Sequence, residues 1–292
     1  MVYEPATPQH GTHALVIQRE LRAALDRDEL VLHYQPKMEL GSGRVTCAEA
    51  LVRWQHPERG LLPSEFLSVA ERSELIEPLT SWVLRRALAD YTAWTAAGHD
   101  WTVAVNVSAQ NLTSLAFASS VGQILHEAGV PPERLHLEVS ETALAFDTDV
   151  AREVVGALAA QGISMSIDHF GMGFTGLSKL CSTSVSEIKI DQGFLAALPG
   201  SEQDRAIVAS VIDLGHSLGC LVTAQGVESQ DVADALVDAE CDNAQGYLWL
   251  RPCPWTEVAR VLGATTASTT SGVAATQSAP ARAARPSERA SR

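Results

Sequence analysis

Leu135-His136-Leu137-Glu138-Val139-Ser140-Glu141 and Ser164-Met165-Ser166-Ile167-Asp168-His169-Phe170-Gly171-Met172-Gly173 are two short runs in which apolar residues alternate with polar ones. That alternation predicts strands. Between them Val150, Val154 and Leu158 recur at helical spacing, after Asp147 as N-cap and before a stop near Gly162. The segment is therefore a strand, a helix and a strand, the unit from which parallel sheets are built.

The same rhythm extends in both directions. Upstream, helices are expected over Pro63–Ser73, Leu79–Ala97 and Leu115–Ala128, with a strand over Thr102–Ser108. Downstream come strand Glu187–Asp191 with helix Gln203–Leu218, strand Leu221–Val227 with helix Asp231–Asp238, and strand Asn243–Leu248 with helix Trp255–Leu262. The start differs: a helix over Ala14–Asp28 leads to Glu29–Pro36, a strand that Pro36 interrupts, then the turn Gly41-Ser42-Gly43 and a strand over Val45–Trp54, together a hairpin. Seven or eight strands, most followed by a helix, predict an α/β fold: a modified (β/α)8 barrel of the TIM type with an irregular, antiparallel first strand. Residues 1–13 read as a polar leader and residues 14–263 as the barrel. Residues 264–292, rich in Ala, Thr, Ser, Pro and Arg, read as a disordered tail.

Composition narrows the function. The 292 residues carry a net charge of −14, and from Ala264 onward four arginines face only Glu288, a net of +3, so the rest holds −17. An acidic body repels nucleic acid and anionic membrane, so neither is an expected partner. No apolar run is long enough to span a bilayer, and no basic-then-apolar leader opens the chain, which argues for the cytoplasm. Five scattered cysteines without a C-x-x-C pair fit a reducing compartment rather than disulfides or thiolate zinc.

Taken alone, Asp168-His169 at a strand end is more often a partner for backbone groups freed there than chemistry. The barrel changes that reading. Glu49, Asn106, Glu138, Asp168, Lys189, Gln225 and Gln245 each fall at or near the end of a different predicted strand, and in a barrel those ends converge on the face where active sites are built. Three carboxylates and an Asn in one mouth, with a lysine opposite, imply a divalent cation with a taste for oxygen, Mg²⁺ or Mn²⁺. His33, His56, His99, His126, His136 and His216 share no spacing and read as surface or satisfied histidines. The tryptophans read as packing groups, Trp249 lying close enough to Gln245 to approach a bound base.

At these residues the chain resembles a known family. Glu49-Ala50-Leu51-Val52-Arg53-Trp54 is similar to the signature of the EAL family of cyclic-di-GMP phosphodiesterases. It is followed in order by Val105-Asn106-Val107-Ser108-Ala109, Leu137-Glu138-Val139-Ser140-Glu141, Ile188-Lys189-Ile190-Asp191 and Gln245-Gly246-Tyr247, with Tyr34-Gln35-Pro36 upstream. The resemblance covers about Leu15 to Val261 and implies the modified barrel, cyclic di-GMP as partner and divalent ions as cofactors. It implies that Glu49, Asn106, Glu138 and Asp168 hold a first metal ion, that Lys189 helps position the attacking water, and that Glu49 and Asp168 serve catalysis through the metal. Gln35, Leu51, Arg53 and Gln245 match positions around the nucleotide, with Arg53 at a phosphate. Glu141 matches a carboxylate that steadies the loop after the Asp168 strand. The family also dimerises commonly through the region after that loop, where Met172, Gly176 and Lys179 are unusual here.

Two departures are coordinated. Where the family has two consecutive aspartates this chain has Asp168-His169, and where it has Ala-Glu-Gly-Val-Glu this chain has Ala224-Gln225-Gly226-Val227-Glu228. His169 and Gln225 both replace ligands of the second ion, so one ion rather than two is expected. The first expectation is a degenerate member that binds cyclic di-GMP or a protein partner with little or no hydrolysis. The alternative is an active phosphodiesterase with an altered second metal site, in which Glu228 or a water covers for Gln225. A surface-only module ranks third.

Overall fold

The computed structural model describes residues 8–60, 63–142, 149–171, 184–196, 198 and 200–269. Asp147, Met172, Gly176, Lys179 and most of the segment read as a tail lie outside the described residues.

Eight strands close a barrel in chain order: β1 (Leu30–Glu39), β2 (Arg44–Trp54), β3 (Thr102–Val107), β4 (Leu135–Ser140), β5 (Ser164–Phe170), β6 (Glu187–Ile190), β7 (Leu221–Gln225) and β8 (Asn243–Gln245). β2 through β8 are mutually parallel, and β1 runs antiparallel to both of its neighbours. The described helices are α1 (Pro8–Leu25), α2 (Pro63–Glu71), α3 (Ile76–Ala96), α4 (Ala116–Ala128), α5 (Asp149–Ala160), α6 (Glu202–Ser217), α7 (Gln230–Asp238) and α8 (Trp255–Thr269). Strands covered on both faces lose the polar-out alternation of an exposed sheet. Val103, Ala104 and Val105 on β3 are accordingly all buried, as are Leu137 and Val139 on β4.

Several boundaries depart from the sequence reading: β8 ends at Gln245 rather than Leu248, and α3 begins at Ile76 rather than Leu79. α1 begins at Pro8, inside the stretch read as a leader, and α8 runs to Thr269, past the expected end at Leu262. Pro36 does not interrupt β1. Tyr34 donates its N–H to the Cys253 carbonyl (2.7 Å), away from β2, and two residues on the Pro36 nitrogen faces the same side, so no bond to β2 is lost.

Register places the polar strand ends side by side. Asn106 on β3 pairs with Glu138 on β4, Ser140 on β4 with Asp168 on β5, and Gln225 on β7 with Gln245 on β8. One layer deeper lies a second buried ion pair: Lys37 Nζ, near the end of β1, donates to both carboxylate oxygens of Glu187 at the start of β6 (2.6 and 2.7 Å). Ser166 and Thr223 donate to the same carboxylate, so four strands are tied across the barrel centre.

Candidate active site at the barrel mouth

The C-terminal ends of the strands bring Glu49, Asn106, Glu138, Asp168 and Lys189 into one hydrogen-bonded and ion-paired cluster. Lys189, fully buried, donates to Glu138 Oε2 (2.5 Å) and Glu49 Oε2 (3.0 Å) and stands 3.8 Å from Asp168 Oδ1. Glu49 Oε1 accepts from Asn106 Nδ2 (2.7 Å), and Glu49 Oε2 accepts from Gln245 Nε2 (2.7 Å), which also reaches Gln35 Oε1 (3.2 Å).

Burying Glu138 and Glu49 beside one ammonium sets the protonation of both. Burial raises Glu138, and the neighbouring Glu49 and Asp168 push it further, to about 8. For Glu49 burial acts in the same direction, but Lys189 and the bonds from Gln245 and Asn106 outweigh it and hold the carboxyl below its ordinary range. Burial pulls Lys189 down, yet Glu138, Glu49 and Asp168 more than compensate and keep its ammonium charged.

His169 adopts a left-handed backbone (φ +54°) that a non-glycine residue enters at a cost. A hydrogen bond pins it there: Nδ1 lies 2.7 Å from Asp191 Oδ2, while Nε2 lies 3.4 Å from Asp168 Oδ2. Asp191 is itself held, its Oδ1 accepting from the Gly193 N–H (2.7 Å). Two oxygens in the mouth, Asp168 Oδ1 and Gln225 Oε1, are buried and make no hydrogen bond. Glu141 Oε2 accepts the Gly171 N–H (2.9 Å), at a glycine with φ +99° whose added Cβ would fall within 2.6 Å of the Phe194 ring.

A cavity of about 330 Å³ opens over this cluster, lined among others by Gln35, Leu51, Asp168, His169, Gln225 and Gln245. A recess of about 700 Å³ continues beside it past Leu51, Arg53 and Asn106. All twelve site residues expected from the sequence lie in or next to the mouth, although Arg53 lines the side recess and Glu141, just past the end of β4, holds the Gly171 N–H beyond β5. Asp191 and Tyr247 are also part of the site, and strand-end placement alone does not reveal them. Tyr247, not Trp249, is the aromatic lining the cavity, and Arg251 stacks on its ring 4.0 Å from the centroid.

The donor set at Glu49, Asn106, Glu138 and Asp168 is all hard oxygen, and the buried Asp168 Oδ1 makes no hydrogen bond, both of which suit Mg²⁺ or Mn²⁺. Among the described residues no three carboxylate, imidazole or thiolate groups already stand in metal-holding geometry. The Lys189 ammonium takes the bonds a metal ion would share.

An acidic, lysine-centred mouth at the C-terminal ends of a closed parallel barrel is the place where proteins of this barrel class build their sites. Residues 18–252 match the EAL domain family, and the chain belongs to it. It is 37% identical over 254 residues to the bifunctional diguanylate cyclase/cyclic di-GMP phosphodiesterase MucR of Pseudomonas aeruginosa, an alignment covering 86% of this chain and 37% of that protein. To the cyclic di-GMP phosphodiesterase NbdA of the same organism it is 39% identical, over 84% of this chain and 31% of the relative. The chain thus spans about a third of these relatives' length. Among solved structures it superposes on the MucR phosphodiesterase in complex with c-di-GMP with a TM-score of 0.78 and 38% identity, covering 83% of this chain and 99% of that one. The EAL domain of Mycobacterium smegmatis DcpA gives a TM-score of 0.69 and 32% identity, over 81% and 97%. The protein is an EAL-type domain related to cyclic-di-GMP phosphodiesterases. No helix among the described residues is long and apolar enough to cross a membrane.

Proposed function

We propose that this domain binds cyclic di-GMP at the barrel mouth and hydrolyses it slowly or not at all. The observation that carries this reading is the His169 clamp: an imidazole fastened to Asp191 at 2.7 Å and turned toward Asp168 stands where the family has a second acidic metal ligand. Gln225 supports it, because a neutral amide with a buried, unpaired Oε1 replaces a second carboxylate. Together they remove two negative charges, so a second Mg²⁺ would meet a weak, partly nitrogen donor set.

The first site keeps its chemistry. Glu49, Asn106, Glu138 and Asp168 would hold one divalent ion, which supplies Lewis-acid stabilisation of phosphate charge when bound. The chain's own residues do the rest of the binding. Arg53 presents a planar guanidinium suited to a phosphate, and Gln35, Leu51 and Gln245 line the space for the nucleotide. Lys189 holds Glu49 and Glu138 in register and keeps a proton donor beside Asp168.

Two measurements test this. Calorimetric titration of cyclic di-GMP in Mg²⁺ or Ca²⁺ is expected to give saturable heat, and turnover to pGpG is expected well below about 1 s⁻¹, the low end of ordinary enzymes. The double variant His169→Asp/Gln225→Glu is expected to gain hydrolysis that neither single variant shows. Wild-type turnover at ordinary enzyme rates would refute the reading. Glu228, exposed on the cavity wall, favours the alternative of an active enzyme with an altered second site, and that result would establish it.

A further inference from the structure

At the opposite end of the barrel, below the Lys37–Glu187 layer, a separate cavity of about 670 Å³ opens. It is framed by the N-terminal ends of the parallel strands, at Thr46, Thr102, His136, Leu221 and Asn243, with the end of antiparallel β1. Its volume lies within the ordinary range of small-ligand sites, roughly 300–1,000 Å³. Three features give it a chemical character.

First, His136 departs from the sequence expectation of a satisfied histidine: its Nδ1 is buried and has no hydrogen-bond partner. Burial, with the Lys37 ammonium beside it, holds its pKa down at about 4, so the ring is neutral and retains one lone pair. Second, the rim is acidic. Glu39, Glu240 and Asp242 all line the cavity, and its one lysine, Lys37, is already spent on Glu187. Third, Leu221 and Val237 stand at the edge with 52% and 50% of their surface exposed, a pair of aliphatic groups with nothing described over them.

We propose that this basal cavity binds a guanidinium-bearing group. Its N–H donors meet the Glu39 and Glu240 carboxylates beside the uncharged His136 ring, and its methylene stem covers Leu221 and Val237. A planar fork of donors suits these acceptors better than the point charge of an ammonium. Such a group comes from a free small molecule or from the chain itself, since Arg282, Arg285, Arg289 and Arg292 follow α8 in a segment of net charge +3 attached to an acidic body.

The test uses the full chain and N-acetylarginine amide as probe, read by ¹⁵N-resolved amide shifts of Thr46, Leu221 and Val237 and by calorimetry. Saturable shifts in the wild type, weakened about tenfold by Glu39→Gln/Glu240→Gln, support a free ligand. Binding seen only, or at least tenfold tighter, in a variant with all four tail arginines changed to Gln supports the tail as resident occupant. No saturable shift in either protein overturns the proposal, as does probe binding that Glu39→Gln/Glu240→Gln leaves unchanged. Cyclic di-GMP titration of each variant is expected to match the wild type, so failure here is distinguishable from failure at the mouth.

Discussion

Replacing Lys189 with Met removes the one ammonium among three buried carboxylates while nearly keeping its volume. Two charge-assisted bonds disappear, at 2.5 Å to Glu138 and 3.0 Å to Glu49, and the 3.8 Å attraction to Asp168 goes with them. Stranding one side of a buried pair costs about 3–5 kcal/mol. The lower end applies near neutral pH, because Glu138, raised to about 8, is already mostly protonated there and leaves less charge stranded. A loss of about 3 kcal/mol, at roughly 2–4 °C per kcal/mol for a domain of this size, lowers the midpoint by about 6–12 °C without metal. Above pH 8 Glu138 must either ionise without its partner or hold its proton against a rising pH, so the loss grows. A Mg²⁺ ion held there as proposed would offset the loss: at 100 times its dissociation constant it adds about 2.7 kcal/mol by mass action. The variant is expected to bind Mg²⁺ more tightly than the wild type, because no lysine would compete for Glu49 and Glu138. Thermal unfolding followed by circular dichroism, with and without Mg²⁺ at pH 7 and pH 9, reads all of this. A metal-free drop under about 1 kcal/mol, or equal Mg²⁺ stabilisation of both proteins, would refute the assignment of Lys189 as the resident counter-ion of the mouth.

Arg53→Ala is expected to weaken cyclic di-GMP binding tenfold or more by calorimetry, and Arg53→Lys is expected not to restore it, because the bidentate fork is lost. Gly246→Ala is expected to cost about 3 kcal/mol or more in urea unfolding, since a Cβ there falls 2.0 Å from the Val227 carbonyl oxygen and 2.3 Å from its nitrogen, and the backbone has to move. Acid titration separates two buried groups. His136 is depressed to about 4, so below its unfolded value near 6.5 only the unfolded chain takes the proton; about 3 kcal/mol of stability drains away between pH 6.5 and 4, and His136→Leu flattens that limb. Glu187 is held down at about 2 because Lys37 and its hydrogen bonds outweigh burial, so its contribution is present above about pH 4.5 and is lost as pH falls toward 2. Glu187→Gln removes that second, more acidic loss in equilibrium unfolding.

What the sequence revealed and what it hid divide along a physical line. Strand and helix periods are local, and so is the placement of one polar residue at each strand end; the barrel and the convergence of Glu49, Asn106, Glu138, Asp168 and Lys189 follow from them with the topology rule alone. The place of Pro36 is hidden from the sequence for an equally plain reason. A proline breaks a ladder only if its nitrogen faces the partner strand, and which side it faces depends on the pairing of Tyr34 with Cys253, more than two hundred residues away. Helix ends shifted where weak signals compete, as at Gly263, which terminates nothing inside α8.

The deepest gap between sequence and structure lies at His169. As a letter it marks a missing aspartate, and the inference of a weakened second metal site needs no more than that. The structure adds a partner. Asp191, 22 residues on at the exit of β6, accepts from the imidazole at 2.7 Å and holds a non-glycine backbone at φ +54°. A residue that had merely lost its ligand role would have no reason to be held in so uncommon a conformation, whose cost is on the order of 1–3 kcal/mol. The bond to Asp191 carries charge, but with 57% of the His169 side chain exposed it is worth about 1 kcal/mol at most and offsets part of that strain. It follows that Asp191→Asn should release His169 before it alters the rest of the mouth. The imidazole should then lose its fixed environment in the ¹⁵N spectrum of its ring, while the Glu49–Asn106–Glu138–Lys189 cluster and overall stability stay within about 1 kcal/mol of wild type. A His169 ring signal unchanged by Asp191→Asn would mean that the backbone alone fixes the imidazole and that the clamp contributes nothing.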